Sequence, residues 1–160
     1  MTSFMFDTNA LNRLVDRGLG ASDLPRGDQF FVTASQIAEL TKTREPTRRE
    51  ALLSGMRELE PALTRARLRT GPYGIAPYGE SPYGGGEDLH YSQALGALRR
   101  IGGKSSHRGD PTDALILEVC LAEGHTLVTD DEALAAVSRG LGAHTQSVET
   151  FLGECRTNST

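Results

Sequence analysis

DPTDALILEVCLAEGHTLVTDD, the stretch from Asp110 to Asp131, joins a helical pattern to a short strand that ends in two acids. Pro111 suits the first turn of a helix, where its missing N–H has no partner to lose, and the apolar run Ala114–Leu117 then gives that helix a buried body. Gly124 ends the pattern. His125–Thr129 is β-branched and apolar, as a strand requires, and it delivers Asp130 and Asp131 to its carboxyl end.

The same alternation extends in both directions. SFMF, Ser3–Phe6, reads as a buried strand followed at once by Asp7 and a helix carrying Leu11, Leu14 and Val15. After the turn residues Asp23, Pro25 and Gly27, QFFVT reads as a second strand, and Ala34–Leu40 begins a helix with Ile37 and Leu40 on one side. Glu39 is expected in the first turns of that helix. Pro46 punctuates the chain, and Thr47 with Glu50 forms a capping-box signature for a helix bearing Ala51, Leu52, Met56 and Leu59, so the middle third reads as helical. Helical spacing returns at Leu89, Leu95 and Leu98 and stops at Ile101-Gly102-Gly103. Beyond Asp131, EALAAVSRG predicts a helix and AHTQSVETFLGEC a last strand and helix. Strands alternating with helices imply an α/β domain with a mainly parallel central sheet.

With 160 residues, the chain has room for one hydrophobic core and not for two domains of ordinary size. A single domain over residues 1–155 is expected, with residues 156–160 as a flexible tail. Thr70–Gly86, TGPYGIAPYGESPYGGG, sustains neither regular pattern, which predicts a long loop insertion near residues 70–87. The apolar share of 38% and the charged share of 24% belong to a folded soluble chain. Its apolar runs fall far short of the roughly 20 residues of a membrane span. The opening MTSFMFDTNAL lacks the basic and apolar regions of a signal peptide, so no membrane association and a cytoplasmic location are expected. Cys120 and Cys155 show no zinc spacing, and Cys120 reads as a small buried side chain. A formal charge of −4 excludes a surface coated in positive charge, but leaves room for a local basic face.

In a parallel sheet, ligands bind beyond the carboxyl ends of the strands. Asp7 follows the first strand there, and Asp130 and Asp131 follow HTLVT. Glu39 and Asp113 are expected near the starts of helices leaving the same edge. Each acid alone also reads as a helix cap or a solvated charge. Four carboxylates converging on one pocket would repel one another without a cation. Oxygen ligands of this kind suit Mg2+ or Mn2+, and such ions suit phosphodiester cleavage by an activated water.

FMFDTNAL (Phe4–Leu11), VTASQIAEL (Val32–Leu40) and DPTDALILEVCLAEGHTLVTDDEAL (Asp110–Leu134) together resemble the three signature blocks of PIN-domain nucleases, particularly the toxin ribonucleases of bacterial toxin–antitoxin pairs. The resemblance implies a PIN-like three-layer α/β domain and a metal-dependent endoribonuclease that hydrolyses RNA phosphodiester bonds. It assigns the metal and the catalysis to Asp7, Glu39, Asp113 and Asp131, with Mg2+ or Mn2+ as cofactor. It also implies RNA as substrate, a cognate antitoxin and self-pairing as a homodimer. In the turn Thr129-Asp130-Asp131 the two acids can exchange roles, and Asp131 is favoured, with Thr129 shaping the turn. Thr8 and Asn9 are placed to orient Asp7 or to cap a helix. Asp110, one turn before Asp113, either faces the pocket or serves the helix start. Two other readings stay open: a non-catalytic PIN-like module that binds RNA or protein, and an RNA-processing PIN nuclease without an antitoxin.

The middle of the chain departs from a small PIN toxin. Tyr73, Tyr78 and Tyr83, each within Pro-Tyr-Gly, are suited to stack on RNA bases, to meet an antitoxin or to fasten the loop. Basic residues flank this insertion: Arg44, Arg48, Arg49, Arg65, Arg67 and Arg69 before it, Arg99, Arg100, Lys104 and Arg108 after it. They offer phosphate contacts or a solvated helical face. His90, His107, His125 and His144 lack metal spacing and read as structural or surface residues.

Overall fold

The computed structural model describes residues 1–67, 89–102 and 110–157. Five parallel strands form its sheet: β1 (Ser3–Phe6), β2 (Gln29–Val32), β3 (Leu63–Arg65), β4 (Thr126–Val128) and β5 (Thr145–Gln146). They lie in the order β3-β2-β1-β4-β5. Seven helices connect and cover them: α1 (Thr8–Asp16), α2 (Ala34–Thr41), α3 (Pro46–Leu59), α4 (Leu89–Gly102), α5 (Asp110–Glu123), α6 (Glu132–Gly140) and α7 (Val148–Thr157). The expected parallel α/β architecture is present. The Tyr-rich insertion, with Arg69, Tyr73, Tyr78 and Tyr83, lies outside the described residues, as do Lys104, His107 and Arg108.

Alternation along the strands decides which layer each side chain enters. Phe4 and Phe6 of β1 point to one face with Phe30 and Val32 of β2, where α1, α3 and α7 supply Leu11, Leu14, Leu52, Leu59 and Phe151. Phe151 is the hub of that layer. Its ring meets Phe4, Phe6 and Phe30 edge-on at centroid distances of 5.3, 5.1 and 6.0 Å, while Phe30 stacks on the other two. Met5 and Leu127 point the opposite way into a second layer made by α4, α5 and α6. From Ala114 to Cys120 every residue of α5 is buried, Glu118 included, so this helix is enclosed all round. Cys120 is buried as expected, which pushes its thiol pKa far up.

Three local expectations change. Leu63–Arg65, within the stretch read as helical, is an edge strand paired to β2. It is three residues long, follows the break at Pro61 and is exposed at Thr64 and Arg65, so it carries no alternation to read. The capping box at Thr47 and Glu50 does not form. Helix α3 begins two residues earlier, with Glu45 at its N-cap position, Pro46 as its first residue and no side-chain cap. Glu39 falls in the last turn of α2, because the helix ends at Thr41.

Helices α1 and α3 cross at Gly55. A Cβ built there would stand 2.3 Å from Val15 Cγ1, and valine is stiff about χ1, so it cannot swing aside. Gly55→Ala is expected to destabilise the fold by about 1–3 kcal/mol, overpacking outweighing alanine's better helix propensity. A lower urea midpoint that recovers when Val15→Ala is added would confirm the contact. A single variant as stable as the parent would show that the helices do not touch there.

Candidate functional site

Strand pairing builds the centre of the site. In the β1–β4 ladder Phe6 stands opposite Val128. The next residues on each strand, Asp7 and Thr129, therefore emerge side by side at the carboxyl edge, where the strand order reverses direction and a crevice opens. Both are buried. The Thr129 hydroxyl donates to Asp7 Oδ2, and its oxygen accepts the Asp131 backbone N–H at 3.0 Å. One threonine thus ties the acid after β1 to the acid after β4.

Asp7 is also the N-cap of α1, its Oδ1 accepting the Ala10 N–H at 2.5 Å. Asp131 plays the same part for α6, its Oδ1 accepting the Leu134 N–H at 2.8 Å. The capping role foreseen for Thr8 and Asn9 therefore falls to Asp7. Asn9 is exposed, and Thr8 turns its hydroxyl elsewhere.

Glu39 reaches the same region from the end of α2. Its Oε2 accepts from Thr8 Oγ1 at 2.8 Å, and its Oε1 accepts from Thr112 Oγ1 at 3.1 Å. Thr8 is the neighbour of Asp7, and Thr112 is the neighbour of Asp113. Three threonine hydroxyls therefore link the segments that carry all four acids. The base of α2 is fixed by Gln36, whose buried amide donates to the carbonyl of Phe6 at 2.5 Å and accepts from the Thr33 N–H at 2.7 Å. Gln36 and Thr112 are positioning residues that the sequence reading missed; the Thr33-x-x-Gln36 capping-box spacing was the available signal for Gln36, and Thr112 has none. Asp113 is half-buried at the first turn of α5. The side chain of Asp110 lies outside the described residues.

The two acids of the turn have different surroundings. Asp130 forms an ion pair with Arg13 of α1 and accepts the Val148 N–H of α7 at 3.0 Å. Its carboxylate fastens the end of β4 to two helices. Asp131 is exposed, and only its Oδ1 is used, by the cap. Among the described residues, no three His, Cys, Asp or Glu side chains stand grouped as a metal-ligand set. Of the expected basic contacts, Arg65 and Arg67 lie at the β3 end of the same sheet edge, and Arg99 and Arg100 are exposed on the last turn of α4. Arg48 pairs with Asp16. His125 is structural: it is buried, stacked on Phe31 at 4.1 Å, and bonded to Ser3 Oγ, with its pKa lowered by burial.

Burial raises the pKa of Asp7 above the ordinary carboxylate value. The Thr129 and Ala10 hydrogen bonds oppose the shift, and the charges of Asp131 and Asp130 add to it. Folded Asp7 therefore holds its proton more tightly than the unfolded chain does. Its contribution to stability is complete below the unfolded pKa of 3.8 and is lost as pH rises through the raised folded value. In metal-free buffer at neutral pH, Asp7→Asn is expected to be more stable than the parent, with the advantage vanishing at acid pH. Urea midpoints across this range test it, and an equal or lower midpoint for the variant at neutral pH would refute the buried-charge account.

No family model matches the sequence, and no curated protein does. Solved structures do resemble it. PAE2754 from Pyrobaculum aerophilum superposes with a TM-score of 0.59 at 16% identity, covering 98% of this chain and 96% of that one. VapBC-1 from nontypeable Haemophilus influenzae gives 0.55 at 16% identity, covering 92% and 99%. VapBC2 from Rickettsia felis, bound to a DNA fragment from their promoter, gives 0.52 at 14% identity, covering 91% and 98%. Their likeness spans nearly the whole chain, and with the five-stranded parallel sheet between two helical layers it shows that this protein has the PIN-like three-layer α/β fold.

Proposed function

We propose that the protein is a metal-dependent endoribonuclease that hydrolyses RNA phosphodiester bonds and acts as the toxin of a toxin–antitoxin pair. One observation carries the reading. Buried Asp7 and the segments that carry Glu39, Asp113 and Asp131 are tied into one region by the hydroxyls of Thr129, Thr8 and Thr112.

The donor set fits a hard divalent cation. All four groups offer carboxylate oxygen, the choice of Mg2+ and Mn2+. Asp7 is held against its own burial and against two neighbouring negative charges, a cost that a cation offsets. Asp7, Glu39, Asp113 and Asp131 would hold Mg2+ or Mn2+, and the bound ion would lower the pKa of a water and neutralise charge on the phosphate. Asp7 supplies a fixed reference point, its two oxygens already oriented by Ala10 and Thr129. Glu39 is oriented by two hydroxyl donors. Asp131 is accessible and forms no ion pair among the described residues, which favours it over Asp130, whose charge is paired with Arg13.

Substrate and partner follow from the toxin-like blocks DTN, QIAEL and DALI and from the fold shared with two structures named VapBC. An antitoxin segment carrying Arg or Lys would complement the acidic edge. No helix among the described residues is long and apolar enough to cross a membrane, in keeping with action on cytoplasmic RNA. A second reading, a PIN-like module that binds without turnover, is favoured by the absence of a closed ligand set among the described residues.

Cleavage of a mixed RNA pool in Mn2+ or Mg2+ separates these readings. Folded Asp7→Asn and Asp113→Asn proteins should each lose more than about 100-fold in rate, beyond the roughly 10–100-fold expected for Thr112→Val, which only orients Glu39. Undiminished cutting by both Asn variants would reject this site. No Mn2+ binding by calorimetry up to millimolar concentration, together with no cleavage, would establish the binding module instead.

A further inference from the structure

The carboxyl edge of the sheet continues past the acids to β5, and there it opens into a cavity of about 830 Å3. Thr129, Asp130 and Asp131 form one wall, shared with the candidate centre, while Arg139, Gln146, Ser147 and Thr150 line the rest. The volume is that of a small-molecule site rather than a packing defect. Asp131, the N-cap of α6, and Arg139 in its last turn are eight positions apart, on the order of 12 Å along the helix axis, a span that covers more than one phosphate of a single strand.

Arg139 is the one cation among those lining residues. Its Nη1 donates to Thr145 Oγ1 at 3.2 Å, which holds the guanidinium against β5. Among the described residues it forms no ion pair, although Asp130, Asp131 and Glu132 line the same cavity. An exposed guanidinium with four further N–H donors and a fixed direction matches a phosphate. Beside it, the Ser147 and Thr150 hydroxyls hydrogen-bond to each other at 2.9 Å, and Ser147 Oγ accepts the Thr150 N–H at 3.1 Å, which fixes the start of α7 on the far wall.

We infer that this cavity is a subsite for the RNA strand beside the scissile phosphate, with Arg139 binding a backbone phosphate of that strand. The assignment rests on the nuclease reading for the identity of the strand. It extends the path of the RNA along the edge, away from Arg65 and Arg67 at the β3 side and across the acids toward β5. An apolar base specificity pocket is not implied, since the lining is polar.

The test measures binding of a short fluorescent single-stranded RNA to the full-length protein in Ca2+, across a range of salt concentrations. Arg139→Ala should weaken binding about tenfold, as expected for one charge-assisted contact. The slope of log K against log salt should fall in magnitude by about 0.7, one phosphate contact on a single strand. Arg139→Lys should keep the parental slope. Unchanged affinity, or weaker binding with an unchanged slope in a well-folded Arg139→Ala protein, overturns the phosphate contact. Tight binding of an acidic peptide competing with the RNA only when Arg139 is present would also overturn it, in favour of a protein ligand. These outcomes are separate from the metal reading: RNA binding with the slope change but no cleavage and no Mn2+ affinity would retain the subsite and discard the nuclease. Cleavage with parental KM by Arg139→Ala would do the reverse.

Discussion

The parallel pairing of β1 with β4 is the contact on which the rest of this molecule depends. Its register sets Phe6 against Val128, and the two residues that follow, Asp7 and Thr129, have nowhere to go but the crevice at the sheet's reversal point. Because both are buried, their polar atoms must satisfy one another. The result is a buried carboxylate and a hydroxyl locked together, with the backbone of Asp131 attached to the same oxygen. A shift of one residue in that register would send Asp7 to a different neighbour and exchange the Phe4–Phe6 face of β1 with the Met5 face.

Helix capping, one of the two readings that the sequence leaves open for each acid, is what the structure shows for Asp7 and Asp131. Asp7 and Asp131 each use one oxygen to cap a helix, and the cap fixes the direction in which the other oxygen points. A helix start is therefore a device for aiming a carboxylate, at the cost of burying its charge. Asp7 meets that cost in its raised pKa. Asp130 shows the contrasting case, where an ion pair and a backbone donor engage both oxygens and leave the group structural.

The two apolar layers give the edge its rigidity. Phe151 locks three phenylalanines of β1 and β2 from one side, and α5 packs its whole circumference from the other. Asp113 lies in the first turn of that enclosed helix, so its backbone is held in place by the burial of Ala114–Cys120. Glu39 is anchored differently, through Gln36 to the carbonyl of Phe6. Core packing and a single buried amide thus reach the same edge from opposite layers.

Strand and helix order was legible in the sequence because each element carries a period: SFMF and QFFV alternate between faces, and EALAAVSRG repeats at helical spacing. Asp7 and Asp131 were legible for the same reason, since a strand followed by an acid fixes an edge. The three-residue β3 was not, because an exposed edge strand has too few buried positions to leave a pattern. The different surroundings of Asp130 and Asp131 were not legible either, because Asp130 is engaged by Arg13 and Val148, partners more than ten residues away that no local rule connects to it. The same holds for Glu39, which the sequence placed near a helix start and which the fold delivers from a helix end through the hydroxyls of Thr8 and Thr112. Local periodicity is written along the chain, whereas hydrogen bonds between side chains 31 and 73 residues apart exist only once the sheet has set the distance between them.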